Sequence, residues 1–322
     1  MSEPIRIAIS ACLLGKEVRF DGGHKHDHFL TDGFGRYVEW VPFCPEVEIG
    51  MGIPREPVRL VRVDGAFRLV GTRSLEDWSE RMRRHTRKRV KGLGDVHGVV
   101  FKKDSPTCGM LRVKVYPEGA LHGQKDLGSP GRDGVGLFAS AYLEAHPLIP
   151  AEEEGRLNDA RLRENFVERV FAYRRLRTLL DERFSVGRLV AFHAAHKYQL
   201  LAHSPVGYKE LGKLVARAKE VKVSELKEAY AAGFMKALAA PATKRRNTNV
   251  LEHILGHFKK LISAGDKEEA LALIRDYQHG LVPLVVPLTL LQHFLRQSED
   301  AWLAAQTYLQ PHPKELMLRN HV

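Results

Sequence analysis

Ile5-Arg6-Ile7-Ala8-Ile9-Ser10-Ala11-Cys12-Leu13-Leu14-Gly15 is a short apolar run that reaches a cysteine and then breaks into a glycine loop through Gly22 and Gly23. Bounded in this way, the run reads as a buried strand. Working outward, residues 38–43 and 98–102 give two more strands, and 58–63 with 67–70 a hairpin turning at Asp64-Gly65. Ser74 is expected to cap a helix that starts with Leu75-Glu76-Asp77 and ends near Gly92. Its acids lead and its bases trail, as the helix dipole favours. Short strands separated by helices predict an α/β, Rossmann-like first domain, a mostly parallel sheet flanked by helices. Ligands of such sheets sit beyond the carboxyl ends of the strands. Cys12, Cys44 and Cys108, the only cysteines, all fall there.

The chain has 322 residues, more than most single domains, so two domains are expected. After Pro147 and Pro150 the pattern turns helical, over 156–182, 186–204, 224–240 and 249–263. Pro283 and Pro287 interrupt the apolar stretch 281–295, so a helix is expected to begin near Pro287. The boundary is placed near residue 150. An α/β domain over 1–150 then precedes an all-α basic domain over 151–322. No internal repeat or low-complexity segment is present. Hydrophobic residues make up 44% of the chain, enough for ordinary cores. No run of about 18 apolar residues occurs, which argues against a membrane span. Met1-Ser2-Glu3-Pro4 lacks the basic and apolar regions of a secretory signal, so a cytoplasmic protein is expected.

Net charge is +11, shared unevenly. Residues 1–150 hold 23 basic and 19 acidic residues, an excess of +4; residues 151–322 hold 27 and 20, an excess of +7. A basic helical domain with interspersed Tyr198, Tyr208, Tyr230 and Phe234 suits a polyanion. Lys197, Lys244, Arg245, Arg246 and Lys259 are its candidate contacts to such a polyanion. A solvated basic surface over core aromatics would carry the same signature.

Three cysteines far apart in a cytoplasmic chain are unsuited to disulfides. Read as unrelated thiols, they would pack as small hydrophobes. Read as a metal site, they leave one coordination position open. That fits a 4Fe–4S cluster with one iron free of protein, or a catalytic zinc. Zinc cysteine sites usually contain a close pair; here the separations are 32 and 64 residues, so the fold must assemble the site.

Glu46 follows Cys44 by two residues, so on an extended segment both side chains would point the same way. Near a metal a carboxylate moves protons or activates water; otherwise Glu46 would be a surface acid or pair with Arg19 or Arg55. Ser105 precedes Cys108 in the tight loop Asp104-Ser105-Pro106-Thr107-Cys108-Gly109. It would face the metal or satisfy loop amides. Ser10, Arg19 and Asp21 are candidate pocket residues. His24, His26 and His28 alternate in a loop and could gather a metal. His193, His196, His203, His253 and His257 recur at helical spacing, without the acid of an HExxH arrangement.

Ser10-Ala11-Cys12-Leu13-Leu14-Gly15, Arg19-Phe20-Asp21-Gly22, Cys44-Pro45-Glu46 and Ser105-Pro106-Thr107-Cys108-Gly109 together resemble the thiouracil desulfidase family, over about the first 150 residues. The resemblance implies a 4Fe–4S cluster held by Cys12, Cys44 and Cys108, with an open iron for the sulfur of a thiocarbonyl pyrimidine. It also implies catalytic roles for Glu46 and Ser105. Residues 160–322 resemble a helical domain often fused to that family, in four pieces: 192–197, 246–253, 282–291 and the ending Leu316-Met317-Leu318-Arg319-Asn320. Such fusions are similar to tRNA 4-thiouridine desulfidases, which implies tRNA containing 4-thiouridine as partner and substrate. Free thiouracil or thiouridine nucleotides are the alternative substrates. A nucleic-acid binding protein with a structural or redox-sensing cluster is the alternative from another class.

Overall fold

In the computed structural model, residues 4–124, 128–181 and 183–321 are described. Contacts divide the chain into two compact units, Met1–Asn158 and Asp159–Val322.

The first unit is built on β1 (Arg6–Ser10), β2 (Glu39–Phe43), α1 (Pro45–Glu48), β3 (Val58–Val63), β4 (Ala66–Gly71), α2 (Ser79–Lys91), β5 (Gly98–Phe101), β6 (Val113–Tyr116), β7 (Gly131–Gly134), α3 (Leu137–Ala145) and β8 (Ala151–Glu153). One sheet has the order β2-β1-β5-β8, and every pairing in it is parallel. Ile7, Ala8 and Ile9 of β1 and Val99 and Val100 of β5 are fully buried. Continuous burial of this kind belongs to parallel strands covered on both faces. Helix α3 covers one face, with Phe138 packed 5.0 Å from Phe43 and Tyr142 5.8 Å from Phe101, ring centre to ring centre. The expected parallel α/β core is therefore present.

A second sheet, β4-β3-β6-β7, contains the expected hairpin. Asp64 and Gly65 turn it with φ of 48° and 78°, the pair of left-handed residues a tight hairpin needs. Strands β6 and β7 were not expected: β6 has four residues and β7, Gly-Arg-Asp-Gly, has no apolar side chain. The helix expected from Ser74 begins instead at Ser79. Leu75 takes a φ of 60°, and the amides of Gly71 and Trp78 pair with Glu76 and Leu69 carbonyls, so this segment folds back along β4. Ser74 bonds the Glu56 carboxylate rather than capping a helix. The expected division near residue 150 moves to Asn158, because β8 pairs with β5 and ties residues 151–153 into the first sheet.

The second unit is all helical: α4 (Ala160–Asp181), α5 (Val186–Ala195), α6 (Lys197–His203), α7 (Pro205–Ala216), α8 (Val223–Ala239), α9 (Lys244–His257), α10 (Ala264–His279), α11 (Val285–Arg296) and α12 (Ala301–Ala304). Asp159 caps α4, accepting from the Arg161 and Leu162 amides at 2.9 and 3.0 Å; its expected end at Glu182 lies outside the described residues. The helix expected over 186–204 is two, broken at His196. Helix α9 starts before residue 249 because Thr243 accepts the Arg246 amide and sets the first turn there. Pro287 sits inside the first turn of α11, where its missing N–H has no partner to lose, so the helix begins at Val285. The core of the unit gathers Leu251, Ile254, Ile274, Leu288, Leu291 and Leu303. Among the described residues no helix is long and apolar enough to cross a membrane.

Candidate active site

Strands β2, β1 and β5 are adjacent, and each delivers one cysteine beyond its carboxyl end. Cys12 lies in a single helical turn, Ala11–Leu14, closed by Gly15 at φ 83°. Its carbonyl accepts from the Gly15 and Lys25 amides. Cys44 immediately precedes α1, and its amide donates to Glu48 at 3.2 Å. Cys108 lies in the loop after β5, folded back so that the Gly109 amide meets the Ser105 carbonyl at 2.8 Å. A Cβ on Gly109 would stand 2.5 Å from Val113, and one on Gly136 would stand 2.5 Å from the Thr107 backbone. These two glycines let the loop seat against the start of α3, whose Phe138 and Ala139 amides hold the Thr107 carbonyl at 3.0 and 3.1 Å.

One cavity of about 310 Å³ is lined by all three cysteines together with Glu46, Ser105, Ser10 and Arg19. Asp21 does not line it; its carboxylate holds Arg19 from outside, at 3.2 and 3.3 Å. Ser10 accepts the Lys102 amide at 3.0 Å, and so ties β1 to the end of β5. Glu46 belongs to the helical turn α1 and not to an extended segment, yet it still reaches the cavity beside Cys44.

Glu46 is held at both oxygens. Arg55 donates to one of them from Nη2 at 2.6 Å and from Nε at 3.0 Å. The Thr107 hydroxyl donates to the other at 2.7 Å. Thr107 in turn lies 2.9 Å from the Ser105 hydroxyl, which accepts the Cys108 amide at 3.1 Å. Ser105, Thr107 and Glu46 thus form one chain of hydroxyl, hydroxyl and carboxylate. Ser105 satisfies a loop amide and faces the cavity, and Glu46 pairs with Arg55 and lines it. Thr107 and Lys102 were not singled out from the sequence. The signal for Thr107 was there, two hydroxyls within three residues of a tight loop before a cysteine.

The thiols are free, and Cys12 and Cys108 are buried. Burial pushes Cys12 up to about 11, with the nearby Lys102 charge opposing; burial likewise raises Cys44 and Cys108. Cys44 acts electrostatically on both of the others, so the three form one cluster. Buried thiols of this kind are inert until a metal cation supplies the charge that stabilises the thiolate. The donor set fits a thiophilic metal centre.

Among the described residues the histidines do not form a second buried metal-ligating group. His26, His28 and Asp32 form an exposed trio on the loop after Cys12, with ligating atoms within 4.8 Å. His193, His196, His203 and His257 are engaged in packing and hydrogen bonds, to Tyr230, Phe192, Ala240 and Asp300.

Comparison with known proteins accounts for both units. Residues 7–154 match the family model described as 2-thiouracil desulfurase. The first unit is a 2-thiouracil desulfurase domain. Residues 197–313 match a second family model, a protein of unknown function termed DUF1722, so the desulfurase domain carries a helical partner domain. The chain is 32% identical over 165 residues to the uncharacterized protein YbgA of Escherichia coli (strain K12), covering 51% of this chain and 98% of that one. It is 28% identical over 163 residues to the uncharacterized protein YbbK of Bacillus subtilis (strain 168), covering 48% and 98%. A solved structure, the [4Fe-4S]-dependent thiouracil desulfidase TudS, is 28% identical, covering 48% of this chain and 94% of that one at a TM-score of 0.38. Cys12, Cys44 and Cys108 all fall within the desulfurase match.

Proposed function

We propose that this protein removes sulfur from 4-thiouridine in tRNA, leaving uridine, with a 4Fe–4S cluster held by Cys12, Cys44 and Cys108. The observation that carries the desulfidase reading is the single cavity where three thiols meet Glu46 and Ser105. The three thiols gathered on one cavity and the cluster of the related TudS support the cofactor. Such a cluster supplies a Lewis acid with one iron free of protein, to which a thiocarbonyl sulfur is a suitable ligand.

The residues of this chain then handle the water and its protons. Overall, a thiocarbonyl and water become a carbonyl and hydrogen sulfide, with no change of oxidation state. Arg55 fixes one oxygen of Glu46, so the other is aimed and ready to take a proton from water as it attacks carbon. Thr107 joins that oxygen to Ser105. A proton received at Glu46 can pass along this chain and return to the departing sulfur from Ser105. Burial of Glu46 and Arg55, whose side chains are 12% and 6% exposed, keeps bulk water from competing.

The RNA part of the proposal is supported by charge. The helical half carries an excess of +7, and phosphate contacts by such a surface would offset the few kcal/mol needed to unstack a base. A second reading, desulfidation of free thiouracil, is favoured by the cavity itself, which at about 310 Å³ accommodates a single base. Anaerobically reconstituted protein should release sulfide from tRNA bearing 4-thiouridine. Release from free thiouracil alone would establish the second reading, and release from neither would overturn both.

A further inference from the structure

Lys244, Arg245 and Asn247 of α9 and Arg319, far along the sequence, line one cavity of about 530 Å³ within the helical unit. Arg161 of α4 and Lys244 and Arg245 of α9 line its mouth and are exposed. Asn247, Tyr308 and Arg319 line its interior and are buried. We propose that this cavity binds a nucleotide through its phosphate.

Charge makes the argument. Four arginines and lysines line the cavity against two glutamates, a balance of +2 with histidines neutral. Both glutamates are already matched. Glu164 accepts from Arg319 at 3.3 Å and lies 2.7 Å from His321, and Glu168 is paired with His203 at 3.3 Å. Among the described residues no carboxylate lies within ion-pairing distance of Arg161, Lys244 or Arg245. Three cations around one opening, with the cavity's glutamates engaged by other partners, are complementary to a phosphate.

The interior explains why the phosphate should carry a nucleoside. It is polar and rigidly built. Asn247 donates to Tyr277 at 2.9 Å and accepts from the Tyr308 hydroxyl at 3.1 Å, while Arg319 donates to the Tyr308 carbonyl at 2.6 Å. The volume exceeds what a bare phosphate fills and lies within the usual size of small-molecule sites. Amide, phenol and guanidinium groups fixed in that space suit the polar edges of a base or sugar. The site also accounts for two of the basic residues singled out in the sequence, Lys244 and Arg245. Arg246 points elsewhere, donating to the His203 carbonyl at 2.6 Å, and Lys197 lies over the rings of Tyr198 and Trp302.

This inference rests on the RNA reading above, and its test separates the two. Full-length protein and the double variant Arg161→Gln, Arg245→Gln would be titrated with a fluorescent RNA oligonucleotide across a salt series, with uridine 5′-monophosphate and inorganic phosphate as competitors. Melting curves establish that these surface changes leave the fold intact. The double variant should bind RNA roughly tenfold more weakly, with a salt slope reduced by about two. Displacement by the mononucleotide would identify a site for any nucleotide phosphate. Weakened RNA binding without such displacement would identify a site for the phosphodiester of a chain. RNA affinity and salt slope equal to wild type would overturn the proposal. Release of sulfide from free thiouracil should be the same in both proteins. If no thiolated substrate yields sulfide while the variant still loses RNA affinity, the desulfidase reading fails and the nucleotide site stands.

Discussion

Arg55 donates twice to one carboxylate oxygen of Glu46, at 2.6 and 3.0 Å, and so leaves the other oxygen to the cavity side. The same guanidinium reaches the carbonyls of Val18 and Gly52 at 3.0 and 2.9 Å, tying the loop after Cys12 to the site. Lysine cannot reproduce this fork. Arg55→Lys should therefore lower kcat about tenfold or more with KM little changed, as expected when a proton-transfer group is misaligned. Arg55→Ala removes one partner of a buried pair and should cost about 3–5 kcal/mol in stability. Steady-state kinetics beside thermal melts check both. A fully active, stable Arg55→Ala variant would show that Glu46 needs no such grip.

Thr107 is 1% exposed and stands between Ser105 and Glu46. Thr107→Val keeps its shape and removes the hydroxyl, so it should break the proton chain at its centre. The expected result is a fall in kcat of about a hundredfold, with the metal content unchanged. Thr107→Ser restores the hydroxyl and should recover most of the activity. Equal turnover by the two variants would mean that Ser105 and Glu46 act independently.

The strand ends were legible because each carries its own punctuation: Ser10 before Cys12, Pro45 after Cys44, Pro106 and Gly109 around Cys108. A run of apolar residues closed by such breakers locates both the strand and what lies beyond it. Thr107 and Lys102 were not legible as partners, since their neighbours Glu46 and Ser10 stand 61 and 92 residues away. Only the parallel pairing of β2, β1 and β5 brings them together. The helix expected at Ser74 failed for a related reason. Its local capping pattern was sound, but Glu56 captured the serine and the backbone of β4 captured the segment. In the helical unit, periodicity showed that helices exist, while caps such as Thr243 and breaks such as His196 fixed where they start and stop.

Cys12, Cys44 and Cys108 should be jointly necessary for the metal centre. Protein purified without oxygen should be brown and hold about four irons per chain. Cys108→Ser, which puts a hard hydroxyl in place of a soft thiol at a buried position, should lose the colour and most of the iron as well as sulfide release. Iron analysis and visible absorption read this directly, without relying on turnover. A colourless zinc protein from the same preparation would overturn the cluster assignment.

Both ring nitrogens of His196 are committed within the helical unit. Nδ1 lies 2.7 Å from the Phe192 carbonyl, and Nε2 accepts from Arg175 at 3.3 Å. A second proton would have to sit against the Arg175 guanidinium in a fully buried place. Burial, reinforced by that charge, lowers this histidine to about 3. Once unfolded, His196 takes up a proton near pH 6.5. Between those values the unfolded chain holds more protons than the folded one, so stability must rise with pH across the window and fall as acid is added. The neighbouring Glu168–His203 pair acts in two directions. Glu168 is lowered by His203 despite its burial, so its contribution is lost as pH falls through its folded value; His203 is raised by Glu168, so its contribution is lost as pH rises through its own. His196→Gln keeps hydrogen-bonding capacity without a titrating group. The variant should therefore show a flatter dependence of melting temperature on pH between about 3 and 6.5 than the wild type. Parallel curves for the two proteins would mean that the acid sensitivity of this unit arises elsewhere.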